Sequence, residues 1–255
     1  AARWPLRCCW RVTEVLRMHA AQQAPGFRRR IRITPTPGSV CSEVEDDYHH
    51  MRVTIKHDGS TAHAVKAQLL RAPWTTCPGA VDKCEQTFTG MELAAFPTRR
   101  EKASNCTHLY DLALLGAAHA MDRAVLVYDA YVSDPVDGRR HARIWRNDEC
   151  VLEWYDRDYR IVAPAGPAGK KLHDLRAWID ALEPTQQEAA RILQWVSLIA
   201  HGRIIPMEQQ SDASRMPPTC YTFQPERAVV AKRVGKTRDF SVGTAQPLDS
   251  HQETV

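Results

Sequence analysis

The sequence predicts an α+β protein: an antiparallel sheet with helices packed on one side, followed by an antiparallel β-meander and C-terminal helices. Three observations carry this prediction. Met51, Val53 and Ile55 alternate with polar residues, Asp58-Gly59 supplies a hairpin turn, and Val65, Ala67 and Leu69 resume the alternation. Leu109, Leu112, Leu115 and Ala118 recur at helical spacing. Three further alternating runs, Val125–Tyr131, His141–Arg146 and Val151–Tyr155, are separated by the turn signals Pro135–Gly138 and Asn147-Asp148.

In chain order, residues 1–17 carry Arg3, Arg7, Arg11 and Arg17 against a single acid, Glu14. They read as a frayed extension or upstream read-through with Met18 as the start, and deleting them is expected to leave folding unchanged. Arg28 to Thr34 alternates basic and β-branched residues, and Pro35 and Pro37 close it as an edge or entry strand. Its arginines read as a solvated face. Cys77-Pro78 places proline at a first helical position and predicts a helix to about Phe88, ending near Gly90. A second helix starts around Asn105. Pro164–Gly169 is a loop, and Leu172, Leu175, Ile179 and Leu182 trace a helical stripe. Pro184 opens a helix through Ala200, with Gly202 as its stop. Cys220–Phe223 reads as a short strand and Pro225–Val234 as a short helix. The organisation is therefore an extension over 1–27, a first half over 28–123, a second over 124–240, and a disordered tail over 241–255.

Bulk composition narrows the function. The chain has 255 residues, 44% hydrophobic and 25% charged, with a formal charge of +4. That is ordinary for a globular protein and too weakly basic for a nucleic-acid footprint. No apolar run approaches the ~20 residues needed to cross a bilayer. Eight cysteines are too sparse for a disulfide framework, so a reducing cytoplasm with free thiols is expected.

The chemistry-bearing residues are scattered. Cys77 and Cys106 each stand where a helix begins, and unpaired N–H groups there favour a thiolate, as metal ligand or as nucleophile. His49 and Asp47 share the parity of Met51 and point to the buried side of their strand, which makes them further ligand candidates. A Cys/His/carboxylate set suits Zn²⁺, or iron. His108, Asp111 and Tyr221 are the proton-transfer candidates, and Arg71 and Arg227 could orient an anionic or carbonyl-bearing substrate. Cys84 and Cys150 read as small hydrophobes.

Two resemblances bear on these residues. The series Arg29-Arg30-Ile31-Arg32, Asp46 to Arg52, Arg71 to Ala80, Cys106 to Asp111 and Cys220 to Arg227 resembles an uncharacterised bacterial domain family covering about residues 28–240. That likeness implies a role in catabolism of aromatic or acyl compounds. Residues 46–120 also resemble the U-type iron–sulfur cluster assembly scaffolds. Asp47 stands in place of the first scaffold cysteine, Cys77 of the second, and Cys106-Thr107-His108-Leu109 of the last motif. This likeness implies a scaffold-like fold and a metal site in the first half. With one thiolate replaced by Asp47, a single ion is expected rather than a transferable cluster.

The sequence thus leads to a cytoplasmic zinc-dependent lyase or hydrolase acting on a small carbonyl- or hydroxyl-bearing aromatic or acyl compound, with metal at His49, Cys77, Cys106 and Asp47. Its alternatives are a non-catalytic iron or iron–sulfur binding protein and a metal-free cysteine-nucleophile enzyme. A small-molecule substrate is expected, with no nucleic acid and no membrane, and a homo-oligomer is allowed.

Overall fold

A computed structural model describes residues 25–235 and 237–249. The expectations for residues 1–17 lie outside the described residues. Eight strands form one antiparallel sheet in the order β4-β3-β2-β1-β5-β6-β7-β8. They are β1 (Gly26–Thr36), β2 (Ser39–Asp46), β3 (His50–His57), β4 (Ala62–Arg71), β5 (Leu126–Ser133), β6 (Arg139–Arg146), β7 (Glu149–Arg157) and β8 (Arg160–Ala163). The α+β class is as expected. Two four-strand meanders meet where β1 pairs antiparallel with β5, so the two halves read from the sequence share one sheet.

Among the described residues the longer helices are α1 (Ala80–Phe88), α2 (Thr107–Ala118) and α4 (Pro184–Ala200), with short turns α3 (Arg176–Ile179) and α5 (Pro225–Ala228). Helix α2 lies on β1–β3, and α4 lies on β5–β7. Ile31, Ile33, Val44, Met51, Val53 and Ile55 meet Leu109, Leu112, Val196 and Leu193 in one continuous core. None of these helices is long and apolar enough to cross a membrane.

The hairpin, the meander and the Leu109 stripe form as predicted. The tight turns are built by residues at positive φ: Asn147 and Asp148 (45° and 67°) between β6 and β7, and Asp158 and Tyr159 (50° and 60°) between β7 and β8. Strand β2 is absent from the sequence reading, because Ser42 stands between Val40 and Val44 on the core side and the acids Glu43 and Glu45, which look solvent-bound, are buried on the other side. The stripe from Leu172 forms a 3₁₀ turn (Leu172–Asp174) and the four-residue α3 instead of one helix. Cys220–Phe223 forms turns rather than a strand, and the helix at Pro225 stops at Ala228.

The opposite face of β1–β3 is polar and covered. Arg30 stands opposite Glu45, and Arg32 opposite Glu43. Residues 237–249 run across this face as a strap. Arg28 Nε donates to the Phe240 carbonyl, the Phe240 and Leu248 amides donate to Asp47 and Glu45, and Arg32 donates to the Leu248 carbonyl. Phe240 and Leu248 are buried. The tail expected to be disordered after residue 240 is therefore packed as far as residue 249. The arginines read as a solvated face are also not solvated: Arg28 and Arg29 are buried, and Arg30 is paired with Asp129.

Candidate active site

On the helix-facing side of the sheet, at the end where β2 turns into β3, four charged or ionisable side chains meet. Arg29 has the parity of Ile31 and Ile33, so it enters the core side of β1, where Asp46 stands directly opposite it on β2. Asp46 closes the turn: its Oδ1 accepts the N–H groups of Tyr48 and His49, both at 2.8 Å. That turn delivers the His49 ring back to the same carboxylate, with Nδ1 at 3.0 Å from Oδ1. Arg29 donates to Asp46 Oδ2 from Nε at 2.8 Å and also from Nη2. Helix α2 contributes His108 from its first turn. The ring stacks on His49 with centroids 4.0 Å apart, and Nε2 lies 3.0 Å from Arg29 Nη2.

These contacts fix proton positions. Guanidinium can only donate, so His108 Nε2 is an acceptor and that ring is neutral. Burial, with His49 and Arg29 beside it, holds the His108 imidazole well below the ordinary histidine range. Asp46 is fully buried, which alone would raise its carboxyl, but its interactions with His49 and Arg29 outweigh burial and hold it well below the usual carboxylate range. An ionised Asp46 accepts the proton side of His49 Nδ1. This leaves His49 Nε2 with no hydrogen-bond partner among the described residues, and not sealed from solvent.

Among the described residues, the His, Cys, Asp or Glu ligand atoms gathered within 4.8 Å of one another are those of Asp46, His49 and His108. Of the four predicted metal ligands, this set contains His49. Asp47 turns away to the strap side, where its Oδ1 accepts the Phe240 N–H and Oδ2 lies 3.5 Å from Arg203 Nη1. Cys77 packs with Trp74, Ala213 and Ala228, its sulfur 3.4 Å from the Thr222 hydroxyl. Cys106 is the N-cap of α2, its sulfur 3.9 Å from that of Met51.

The surroundings of the two sulfurs disfavour the expected thiolates. Burial raises both thiols, that of Cys106 further because the Cys77 sulfur is near; the Thr222 hydroxyl and Trp74 backbone at Cys77, and the His108 and Leu109 backbone at Cys106, offset only part of this. Cys84 is pushed up by burial to about 12.

The remaining candidates separate by what already holds them. His108 belongs to the cluster. Asp111 is bound through both oxygens to Lys102 Nζ at 2.7 Å. Tyr221 packs so closely on Gly79 that a Cβ there would lie 2.6 Å from its hydroxyl, and Arg227 lies over its ring at 3.9 Å. Arg71 Nη2 donates to Glu45 and to the Asp46 and His49 carbonyls, so it clamps the β2–β3 turn. Arg71 is thus a positioning residue for the cluster. Arg29 and Asp46 are the members that sequence reasoning missed. The available signal was parity: an arginine in register with Ile31 and Ile33 needs a buried acid opposite.

Asp47 yields a test of this geometry. Burial raises its carboxyl from 3.8 to about 6. A raised folded value means the folded protein holds the proton more tightly. Its stabilising effect is complete below about pH 4 and is lost as pH rises through about 6. Asp47→Asn keeps an acceptor for the Phe240 N–H and is expected to stabilise the protein at pH 7.5 by about 1–3 kcal/mol. That gain should vanish at pH 4, as read by urea unfolding at both pH values; an equal gain at both would rule out a titrating Asp47.

Comparison with protein-family models and with curated proteins gives no match.

Proposed function

We propose that this chain is an acid–base enzyme, a lyase or hydrolase acting on a small carbonyl- or hydroxyl-bearing organic compound, with His49 as the proton-transferring residue. The observation that carries this reading is the hydrogen bond from His49 Nδ1 to the fully buried Asp46. A carboxylate behind an imidazole fixes its tautomer and stabilises the imidazolium that forms when Nε2 takes a proton. In this reading Nε2 removes a proton from the substrate, or from a water attacking it, and returns it to the leaving group. Arg29 keeps Asp46 ionised, and the neutral His108 ring fixes the plane of His49 by stacking. Cys77, Cys106, Asp111 and Tyr221 take no part.

A second reading places one divalent ion, zinc or iron, at Asp46, His49 and His108. The favouring observation is the 4.8 Å grouping of their ligand atoms. The metal would act as a Lewis acid on the substrate oxygen. Against it stands the occupancy of Asp46, which already accepts from Arg29, Tyr48 and His49. Arg29 Nη2, bonded to both Asp46 and His108, holds the place a cation would take.

The experiment separates the readings. Turnover is assayed on a panel of p-nitrophenyl esters and aromatic β-hydroxy carbonyl compounds. His49→Gln is expected to lower kcat by about 10²–10⁴-fold with an unchanged Tm. Undiminished turnover in that variant would eliminate the acid–base reading. Zinc, iron and sulfide are measured on the purified protein in parallel. One ion per chain, lost in His108→Ala, supports the second reading, and bound sulfide supports the scaffold-like alternative. Rapid thiol labelling of Cys106 that abolishes turnover would support the cysteine-nucleophile alternative.

A further inference from the structure

A second imidazole–carboxylate pair lies in the other half of the sheet. His201, just past the end of α4, places Nε2 2.9 Å from Oδ1 of Asp156 on β7. Both are buried. The His201 ring is covered by Tyr159, with centroids 3.8 Å apart. Directly across the strands from Asp156 is Arg140 on β6. Asp156 is turned toward His201 rather than toward Arg140, and its Oδ2 has no partner among the described residues.

Arg140 is the unusual residue. It is only 6% exposed, yet among the described residues its guanidinium has no hydrogen bond and no ion pair. The other buried arginines, Arg28 and Arg29, both have acceptors. A guanidinium taken out of water without acceptors is costly, and proteins pair such groups. The nitrogens of Arg140 are not among the sealed, unpartnered atoms. Arg140 lines a cleft of about 500 Å³.

The rest of that cleft is mostly apolar. Pro135, Tyr159, Ile204 and Ile205 line it with His201, and Ile204 and Ile205 are unusually exposed for their type. Asp158 also lines the cleft but stands exposed at the rim, where water screens its charge. An unpaired fork of N–H donors among the residues that line a mostly apolar cleft matches one chemistry. A carboxylate pairs with the fork in bidentate fashion, and an acyl or aromatic body covers the isoleucines.

We infer that the Arg140–His201 cleft is a binding site for a small monocarboxylate with an acyl or aromatic body. This inference does not depend on the Asp46–His49 reading, because it rests on different residues. The chain after His201 reaches the strap side of the sheet, where Arg203 bridges Asp134 and Asp47.

The test titrates the ¹⁵N-labelled full chain with benzoate and hexanoate, and separately with benzamide and inorganic phosphate. Benzoate and hexanoate are expected to shift amide signals at residues 138–140 and 201–205. Arg140→Met should weaken them at least about tenfold, with Arg140→Lys between. Ile205→Asp, at an exposed position where folding is not at risk, should weaken the carboxylates by adding like charge. Three results would overturn the inference: benzamide binding as tightly as benzoate, phosphate binding as tightly as either acid, or carboxylate shifts that persist unchanged in Ile205→Asp and Arg140→Met. Shifts confined to other parts of the sheet would overturn it as well.

Discussion

Asp46→Ala is expected to lower the unfolding free energy by about 3–5 kcal/mol, the range for stranding one partner of a buried ion pair. Arg29 would remain on the core side of β1 with its main acceptor gone, and the Tyr48 and His49 amides would lose theirs. At this chain length the loss corresponds to a Tm drop of roughly 6–20 °C, measurable by scanning calorimetry. Asp46→Asn should cost less, because an amide oxygen still accepts the two turn N–H groups. The sign with pH follows from the depressed carboxyl. Its stabilising effect is present above the unfolded value near 4 and is lost as pH falls through the lower folded value. The difference between wild type and Asp46→Ala should therefore persist from pH 5 to 8 and narrow only in stronger acid. A Tm within about 1 °C of wild type would show that the cluster does not organise the turn.

Truncation after Gly235 is the second large effect expected. The strap buries Phe240 and Leu248, and removing two such side chains costs roughly 3–6 kcal/mol at about 1.5–3 kcal/mol each. The loss extends further, since Glu45 is fully buried and two of its donors, Arg238 and the Leu248 amide, come from the strap. Arg28 and Arg32 would lose carbonyl acceptors at the same time. The truncated chain is expected to be insoluble or to melt at least about 10 °C lower. A truncation that leaves Tm unchanged would mean that this strap contributes nothing. Leu248→Ala, which keeps the strap's backbone donor to Glu45, separates the apolar share from the ionic share.

Much of this architecture was legible wherever burial and polarity alternate as strands and helices require. Met51, Val53 and Ile55 announce β3, and Leu109 and Leu112 announce α2, because one face of each element is apolar. Legibility fails where polar residues are buried together. Ser42 and Glu45 hide β2: Ser42 puts a hydroxyl on its core side, and Glu45 is buried by partners remote in sequence, such as Arg238. The strap is hidden for the same reason: its anchoring depends on arginines that look solvent-bound until their partners are known. At the site, His49 and His108 can be picked out by residue type. A helix start attracts a thiolate, which singles out Cys77 and Cys106 in the sequence, but burial outweighs that attraction. Strand parity favours Asp47 over Asp46, yet it does not extend to His49, because β3 begins only at His50 and His49 lies in the Asp46-capped turn.

The contact between Arg28 and Phe240 spans 212 positions along the chain. A ribosome therefore releases the first strand long before the segment that closes its charged side exists. During synthesis the early hairpins can pair and collapse onto α2, while Glu45 and the β1 arginines stay hydrated. Maturation to the native state waits for residues 237–249 to emerge, and such long-range closure slows folding and lengthens exposure to aggregation. Synthesis at low temperature or with chaperones should raise the yield of the full-length protein more than that of a variant whose strap is joined early by circular permutation.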